Sequence, residues 1–218
     1  MTAGLHFDLA KLEPRERYKL LIGLVVPRPI ALVTTVSKGG VVNTAPYSFF
    51  NMFSENPALV VIGIDARADG SMKDSAKNAR DTGVFAVNLV DEALATAMND
   101  CAVDFPPDMS EPDTLGLPLA AGIHVPVPHL LDAPAALECR KMMMINIGPN
   151  RELLIGEILG VHAREGIVDH DTLRVDFDAY KPVGRLAGSL YARQHDRFAL
   201  VRESFDAWTR RNGGQGGE

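Results

Sequence analysis

Residues 28–64 read RPIALVTTVSKGGVVNTAPYSFFNMFSENPALVVIGI and decide the fold. The β-branched and aliphatic runs at residues 30–36 and 59–64 are typical of strands. After the first run, Gly39 and Gly40 supply the positive φ that a short hairpin requires. The stretch therefore predicts a strand, a tight turn, a second strand, a polar loop and a buried strand.

The exit of the second strand carries a segment that a plain hairpin does not explain. An Asn inside a strand and a Pro at its end are poor strand formers, yet Asn43 and Pro46 stand there. The small, hydroxylated and amide side chains around them let the backbone approach a polar ligand closely. We therefore expect a binding surface in this segment, which comprises Asn43, Thr44, Ala45, Pro46, Tyr47 and Ser48.

The rest of the chain lacks the alternating β-α rhythm of a parallel sheet, which indicates an antiparallel barrel with helices added at its edge. Helices are expected at residues 13–24, 72–80, 91–102 and 198–211, with Ser71 capping the second and Gly83 ending it. Further strands are expected at residues 84–90, 122–127, 136–147, 153–162 and 173–177. Residues 101–118 contain four prolines and predict an ordered loop or lid, whereas the final NGGQGGE predicts a disordered tail.

Composition excludes several classes of partner. A net charge of −6 and a pI near 5.5 give no basic footprint for nucleic acid or an anionic membrane. No apolar run approaches the roughly 20 residues of a membrane span, and MTAGLHFDLAKLEPRER lacks the order of a signal peptide. Cys101 and Cys139 lie far apart, and two free thiols in a reducing cytoplasm are favoured over a disulfide or a metal site.

Several blocks together resemble one known family. RPIALVTT, NTAPYSFFN, NPALVVIGI, MKDSAKNARDTGVFAVNLV, LIGEILGVH and YKPVGRLAGSLYAR occur in the order typical of flavin reductase-like proteins. The resemblance implies an FMN-binding split β-barrel, a mainly β fold with added helices. It places that domain at residues 28–195, after a helical extension (1–27) and before a C-terminal helix and tail (196–218). It also implies a homodimer with the flavin near the subunit interface.

The resemblance assigns the phosphate of FMN to the start of the second helix. Free N–H groups and the helix dipole attract an anion there, Lys73 adds a charge, and Ser71 and Ser75 add hydroxyls. Asp74 belongs to the same block. The alternative from the residues alone is plain capping by Ser71 beside a solvated Lys73.

Other residues are expected to contact the ribityl chain or the ring. Thr34 and Thr35 alternate faces of the first strand, so only one can readily point at the ligand; both could instead fill the strand. Tyr47 is either a ring contact or a core aromatic. Arg28 is a weak candidate that could lie on the surface. In the family, a block like that of residues 180–193 places an Arg and a Tyr near the flavin, here Arg185 and Tyr191, although Arg185 could simply stabilise a turn.

The implied chemistry is hydride transfer from NAD(P)H to flavin N5, which needs no side-chain acid, base or nucleophile. His162 ends the strand LIGEILGVH and is the candidate to line the nicotinamide face, against the alternative of an ordinary strand-end histidine. The first hypothesis is a flavin reductase that supplies free flavin or a partner monooxygenase. The alternatives are an FMN-binding electron carrier of flavoredoxin type and an FMN-dependent enzyme for a small organic substrate. No metal ligand set is apparent.

Overall fold

The computed structural model describes residues 4–148 and 150–212 of the 218. The strands in this part are β1 (Ala31–Val36), β2 (Val42–Tyr47), β3 (Phe50–Glu55), β4 (Ala58–Asp65), β5 (Val84–Asn88), β6 (Leu119–Ala120), β7 (His129–Leu130), β8 (Ala135–Asn146), β9 (Arg151–Ala163), β10 (Val183–Arg185) and β11 (Tyr191–Arg193). Seven of them form one antiparallel sheet in the order β2-β1-β5-β8-β9-β4-β3. The pairs β6-β7 and β10-β11 form two small sheets.

Short helices surround this sheet. They are α1 (Pro14–Leu24), α2 (Asp74–Thr82), α3 (Ala95–Asp100), α4 (Glu111–Leu115), α5 (Phe177–Tyr180) and α6 (Phe205–Asn212), after a 3-10 turn at Leu9–Lys11. Within the described residues, none of the helices has the length and apolar character that a membrane crossing requires. The molecule is therefore mainly β with added helices, as the sequence predicts.

The predicted hairpin is confirmed. Strand β1 pairs with β2 in antiparallel register from Ala31 opposite Tyr47 to Val36 opposite Val42. Gly40 in the connecting turn has φ +86, a conformation that favours glycine. Because β2 lies at the edge of the sheet, its outer side is available to other segments of the chain.

The longest hairpin, β8-β9, crosses the middle of the sheet. At Gly156 of β9 an added Cβ would lie 2.3 Å from Cζ of Phe85, so this glycine lets β9 pass over the ring. Phe85 is fully buried in a core that also contains Val33, Ile62 and Leu154. This core holds β1, β4, β5 and β9 together.

Three predicted elements differ from the structure. No strand forms at residues 122–127, because the N–H groups of Ile123, His124 and Val125 donate to the carboxylate of Glu138 instead of to a neighbouring strand. Residues 173–177 turn rather than extend, since Leu173 has φ +55, and α5 begins at Phe177. The helix expected from residue 198 begins only at Phe205.

Two helix starts were also predicted wrongly. Ser71 does not cap α2: its N–H and Oγ both donate to Oδ1 of Asp69, and Lys73 occupies the N-cap position. The predicted end of α2 is confirmed, because Gly83 has φ +78. At residue 91 a turn precedes the helix, which starts at Ala95. The predicted lid contains α4 and is ordered, and most of the predicted tail lies outside the described residues.

Candidate functional site

Two adjoining cavities open along the second half of β2. The first, of about 320 Å³, lies between α1, α3 and the β10-β11 hairpin, and the second, of about 80 Å³, lies between the start of α2 and residues 101–105. Both are lined by Pro46, Tyr47 and Ala102, so they adjoin along these residues, and together they are called the cleft. Its larger part has the size typical of a small-molecule site.

The second cavity offers donors for an anion. It is lined by Lys73 and Ser75, at the N-terminus of the nine-residue helix α2, where the first N–H groups have no partner within the helix. Asn43 reaches the same place from β2 and donates its amide to Oγ of Ser75 at 2.9 Å. Because Ser75 accepts this bond, its hydroxyl proton remains available to a ligand.

An arginine that the sequence analysis did not identify as a site residue also lines this cavity. Arg67 forms an ion pair with Asp74 and donates to the carbonyl of Met72 at 2.7 Å. Asp74 therefore lines the cavity as the partner of Arg67. The pair holds a second cation beside Lys73 and ties the loop before α2 to the first turn of the helix.

The Tyr47 hydroxyl stands at the junction of the two cavities. The side chain is buried, and its hydroxyl lies beside that of Ser75, but it forms no hydrogen bond of full geometry with a described residue. Burial raises the pKa of Tyr47 to about 12, so the hydroxyl keeps its proton at neutral pH. A buried hydroxyl left without a partner is costly, and a polar ligand in the cleft would satisfy it.

Arg28 builds the wall of the first cavity. Its guanidinium donates to the carbonyls of Ile22, Val25 and Leu186 at 2.7, 2.8 and 2.9 Å. It is buried, and burial lowers its pKa. Most of its donors are thus used to join the end of α1 to the C-terminal block, which makes Arg28 a structural residue of the cleft wall.

The predicted Arg and Tyr of the C-terminal block meet at the mouth of the same cavity. The guanidinium of Arg185 lies over the ring of Tyr191, 4.4 Å from its centroid, and donates to the carbonyl of Gly188 at 2.5 Å. Arg185 also pairs through its backbone with Arg28. The pair forms a flat, positively charged rim.

A buried carboxyl closes the outer side of the cleft. Glu111 of α4 accepts the backbone N–H of Thr44 at 2.9 Å, which satisfies a donor of the edge strand β2. Burial raises its pKa. The proline-rich segment is therefore tied to the strand that lines the cleft, and Glu111 is a site residue that the sequence interpretation missed.

A second polar cluster lies elsewhere on the sheet. Glu138 is fully buried and accepts N–H groups from residues 123–125 as well as Nε2 of His162 at 2.6 Å. Burial alone would raise the pKa of Glu138, but these hydrogen bonds outweigh it and lower the pKa to about 2. The ring of His129 stacks on that of His162 with centroids 4.1 Å apart.

The sequence matches the family model described as "Flavin reductase like domain" over residues 23–184. The chain belongs to the flavin reductase-like family.

Solved structures agree with this assignment. The chain is 38% identical to 2-nitrobenzoate 2-nitroreductase NbaA of Pseudomonas fluorescens (TM-score 0.85; 92% of this chain and 98% of that chain covered). It is 35% identical to nitrilotriacetate monooxygenase component B of Bacillus cereus (TM-score 0.87; 92% and 100%). A structure with a split barrel domain from Shewanella frigidimarina shares the fold at 21% identity (TM-score 0.78; 92% and 100%). The predicted split β-barrel is thereby confirmed.

Against this family background, the cleft brings most predicted residues together. Those that line it are Arg28, Asn43, Ala45, Pro46, Tyr47, Ser48, Lys73, Asp74, Ser75, Arg185 and Tyr191. Their contact with a ligand remains a prediction. What is established is their common position around one cleft.

Five predicted residues have another position. Thr34 and Thr35 are fully buried and accept the side-chain amides of Asn88 and Asn78, at 2.8 and 3.1 Å. The Thr44 side chain is also buried. Ser71 and His162 do not line the cleft, because the Ser71 hydroxyl donates to Asp69 and the His162 ring binds Glu138. Their contacts with flavin and nicotinamide remain predictions.

Arg67 and Glu111, the two cleft residues that the sequence analysis did not identify, each lie next to a local feature that is visible in the sequence. Arg67 precedes Gly70, and a glycine at φ +82 lets the chain turn back toward α2. Glu111 follows Ser110, which caps α4 by accepting the N–H of Asp113. A cap inside a proline-rich stretch predicts a short helix, but not which strand that helix contacts.

Proposed function

We propose that this flavin reductase-like protein binds FMN in the cleft and oxidises NAD(P)H. The observation that carries the proposal is the donor set of the second cavity. Lys73, the Ser75 hydroxyl and the free N–H groups of α2 suit a phosphate dianion, with Arg67 beside them.

The rest of the cleft fits the remaining parts of FMN. The orphaned Tyr47 hydroxyl and the backbone of residues 45–48 would meet the ribityl chain and the ring edge. Arg185 on Tyr191 would flank the ring at the rim of the first cavity. When bound, the flavin would accept a hydride from the nicotinamide, while the protein positions both and excludes water.

The wider assignments follow from the family. We propose a homodimer that passes reduced flavin to a monooxygenase, since the Bacillus cereus relative is a monooxygenase component. We also propose a cytoplasmic location, since free thiols such as those of Cys101 and Cys139 are usual in a reducing compartment.

One alternative has specific support. The Pseudomonas fluorescens relative is a nitroreductase, which favours direct reduction of a nitroaromatic acid at the same flavin. The cationic rim of Arg185 would suit such a carboxylate.

The test has two stages. The purified protein should release FMN rather than FAD on denaturation, and a colourless protein that fails to bind added FMN contradicts the proposal. The FMN-loaded protein is then mixed anaerobically with NADH and with NADPH while the visible absorbance of the flavin is followed. Rapid bleaching with either supports a reductase, and no bleaching supports an electron carrier. Turnover with free FMN against 2-nitrobenzoate separates the reductase from the nitroreductase.

A further inference from the structure

The C-terminal arm (residues 194–212) carries apolar side chains that its own subunit does not cover. Residues 194–204 form neither helix nor strand, and α6 follows. Phe198, Leu200 and Val201 are 85–89% exposed, and Phe205 and Trp208 of α6 are also exposed. So many uncovered apolar side chains on one segment mark an interaction surface.

A matching apolar groove lies on the opposite side of Arg28 from the cleft. It has a volume of about 680 Å³ and runs between α1 and the face of β3, β4 and β9. Leu21 and Val25 form one wall, and Phe53, Val61 and Ile155 form the other. Phe53 is 66% exposed and Val25 62%, so the groove is uncovered in the single chain.

The arm of the same chain does not fill this groove. Its first part is held at α5, where Arg197 pairs with Asp178 and lies 5.7 Å from the centroid of Phe177. None of the groove-lining residues belongs to the arm. The eleven residues before α6 could span at most about 35 Å if fully extended, which is long enough to reach across a subunit boundary.

We propose that the C-terminal arm docks in the apolar groove of a second copy of this chain. In a two-fold dimer the exchange is reciprocal, so both arms and both grooves are covered at once. The proposal rests on the homodimer proposed above, to which it adds the segment that joins the subunits.

Arm exchange would also support the wall of each cleft. The groove and the first cavity share Ile22, Arg28 and Ser48 as a common wall. An arm seated in the groove supports that wall from behind, and it covers the end of α1, to which Arg28 is bound. The partner therefore contributes to the stability of the ligand site without entering it.

Trp208 reports directly on docking because it is the chain's single tryptophan and lies in α6. Acrylamide quenching of its fluorescence is measured in the full chain at micromolar concentration, beside sedimentation equilibrium. In the native protein we expect protection of at least two-fold relative to the Phe53→Ser variant, whose groove is damaged. Ile123→Ser, which changes an equally exposed apolar residue away from both surfaces, should leave quenching unchanged. If Phe53→Ser fails to fold, Val25→Ser on the other wall replaces it.

A mixing experiment distinguishes exchange between chains from docking within one chain. Phe53→Ser carries Trp208 and a damaged groove, whereas Trp208→Phe carries an intact groove and no tryptophan. After subunit exchange in an equal mixture, Trp208 of the first chain should regain its protection in the partner's groove. Unchanged quenching on mixing overturns the proposal. A dimer in which Trp208 is as accessible as in the unfolded chain overturns arm docking while leaving the homodimer in place.

Discussion

The two polar clusters of the sheet differ in where their hydrogen bonds go. Around Glu138, three backbone donors and His162 converge on one buried carboxylate. Around Lys73 and Ser75, helix N–H groups, a hydroxyl and a cation point toward a cavity, and the nearby Tyr47 hydroxyl has no partner within the described residues. The first cluster directs its donors onto the Glu138 carboxylate, and Nδ1 of the adjoining His129 has no hydrogen-bond partner within the described residues. The second cluster leaves several donors available beside a cavity.

This difference separates a structural network from a ligand site. A histidine paired with a buried carboxylate can resemble a catalytic pair, but here Glu138 accepts the N–H groups of residues 123–125 and holds them against β8, while His162 binds the same carboxylate. The cleft contains no such pair and has spare hydrogen-bonding capacity instead. We therefore expect substitutions in the two clusters to affect different quantities, stability in one and flavin affinity in the other.

The largest effect is expected at Glu138. Glu138→Ala leaves the N–H groups of residues 123–125 without their acceptor, and it should lower the free energy of unfolding by about 3 kcal/mol. This is the size that the lowered pKa of Glu138, about 2 against 4.5, implies. Because the folded pKa is the lower one, this stabilisation is present above about pH 5 and is lost as the pH falls toward 2. Urea unfolding at several pH values measures it. Glu157→Ala, which breaks only the more exposed pair with Arg140, should cost less than about 1 kcal/mol.

The next effect concerns the phosphate end of the cleft. Lys73→Ala should weaken FMN binding by more than ten-fold, about 1.5–3 kcal/mol, since a charge-assisted contact is lost. The melting temperature should stay unchanged. Lys77→Ala, one turn later on the exposed side of α2, is the matched control and should leave affinity unaltered. Equal affinities for both variants in a fluorescence titration would return Lys73 to the role of a solvated helix residue.

A smaller effect is expected at Tyr47. Tyr47→Phe removes a hydroxyl that has no protein partner, so stability should be unchanged or slightly raised, whereas FMN affinity should fall a few-fold, about 0.5–1.5 kcal/mol. Tyr180→Phe, which lies on α5 outside the cleft, controls for loss of a tyrosine hydroxyl. A loss of stability without loss of affinity would assign the Tyr47 hydroxyl to the core.

The smallest effect on flavin chemistry is expected at His162. Since the side chain lies on Glu138 and stacks on His129, His162→Ala should leave FMN affinity and the rate of flavin reduction within about two-fold of the native values. Stopped-flow reduction by NADH and NADPH measures the rate. A ten-fold slower reduction at unchanged affinity would restore the nicotinamide role that the sequence predicts.

The sequence was sufficient to predict the local turns and strands and to recognise the family. The Gly40 turn and the β-branched runs of β1 and β4 act over a few residues, so their pattern is visible. The missing strand at residues 122–127 depends on Glu138, which lies more than ten residues away on β8. When a distant carboxylate accepts the backbone hydrogen bonds of a segment in place of a neighbouring strand, nothing in the sequence of that segment indicates it.

The distinction between local patterns and contacts between distant residues also applies to the cleft. Residues 43–48 and Lys73 were found because unusual strand residues and a helix start are local features. Arg67 and Glu111 reach the cleft through a reversed loop and a short helix, and Thr34, Thr35 and Ser71 are satisfied by side chains that the sequence does not identify as neighbours.

The central claim is that the Lys73 end of the cleft binds the FMN phosphate, and comparison of FMN with riboflavin tests it most directly. Riboflavin lacks the phosphate but keeps the ribityl chain and the ring. Dissociation constants for both are measured on the apoprotein, on Lys73→Ala and on Lys77→Ala at one ionic strength. The native protein and Lys77→Ala should prefer FMN by at least about ten-fold, and Lys73→Ala should lose most of that preference without losing riboflavin affinity. Equal affinity of the native protein for the two flavins, or an undiminished preference in Lys73→Ala, would contradict the account.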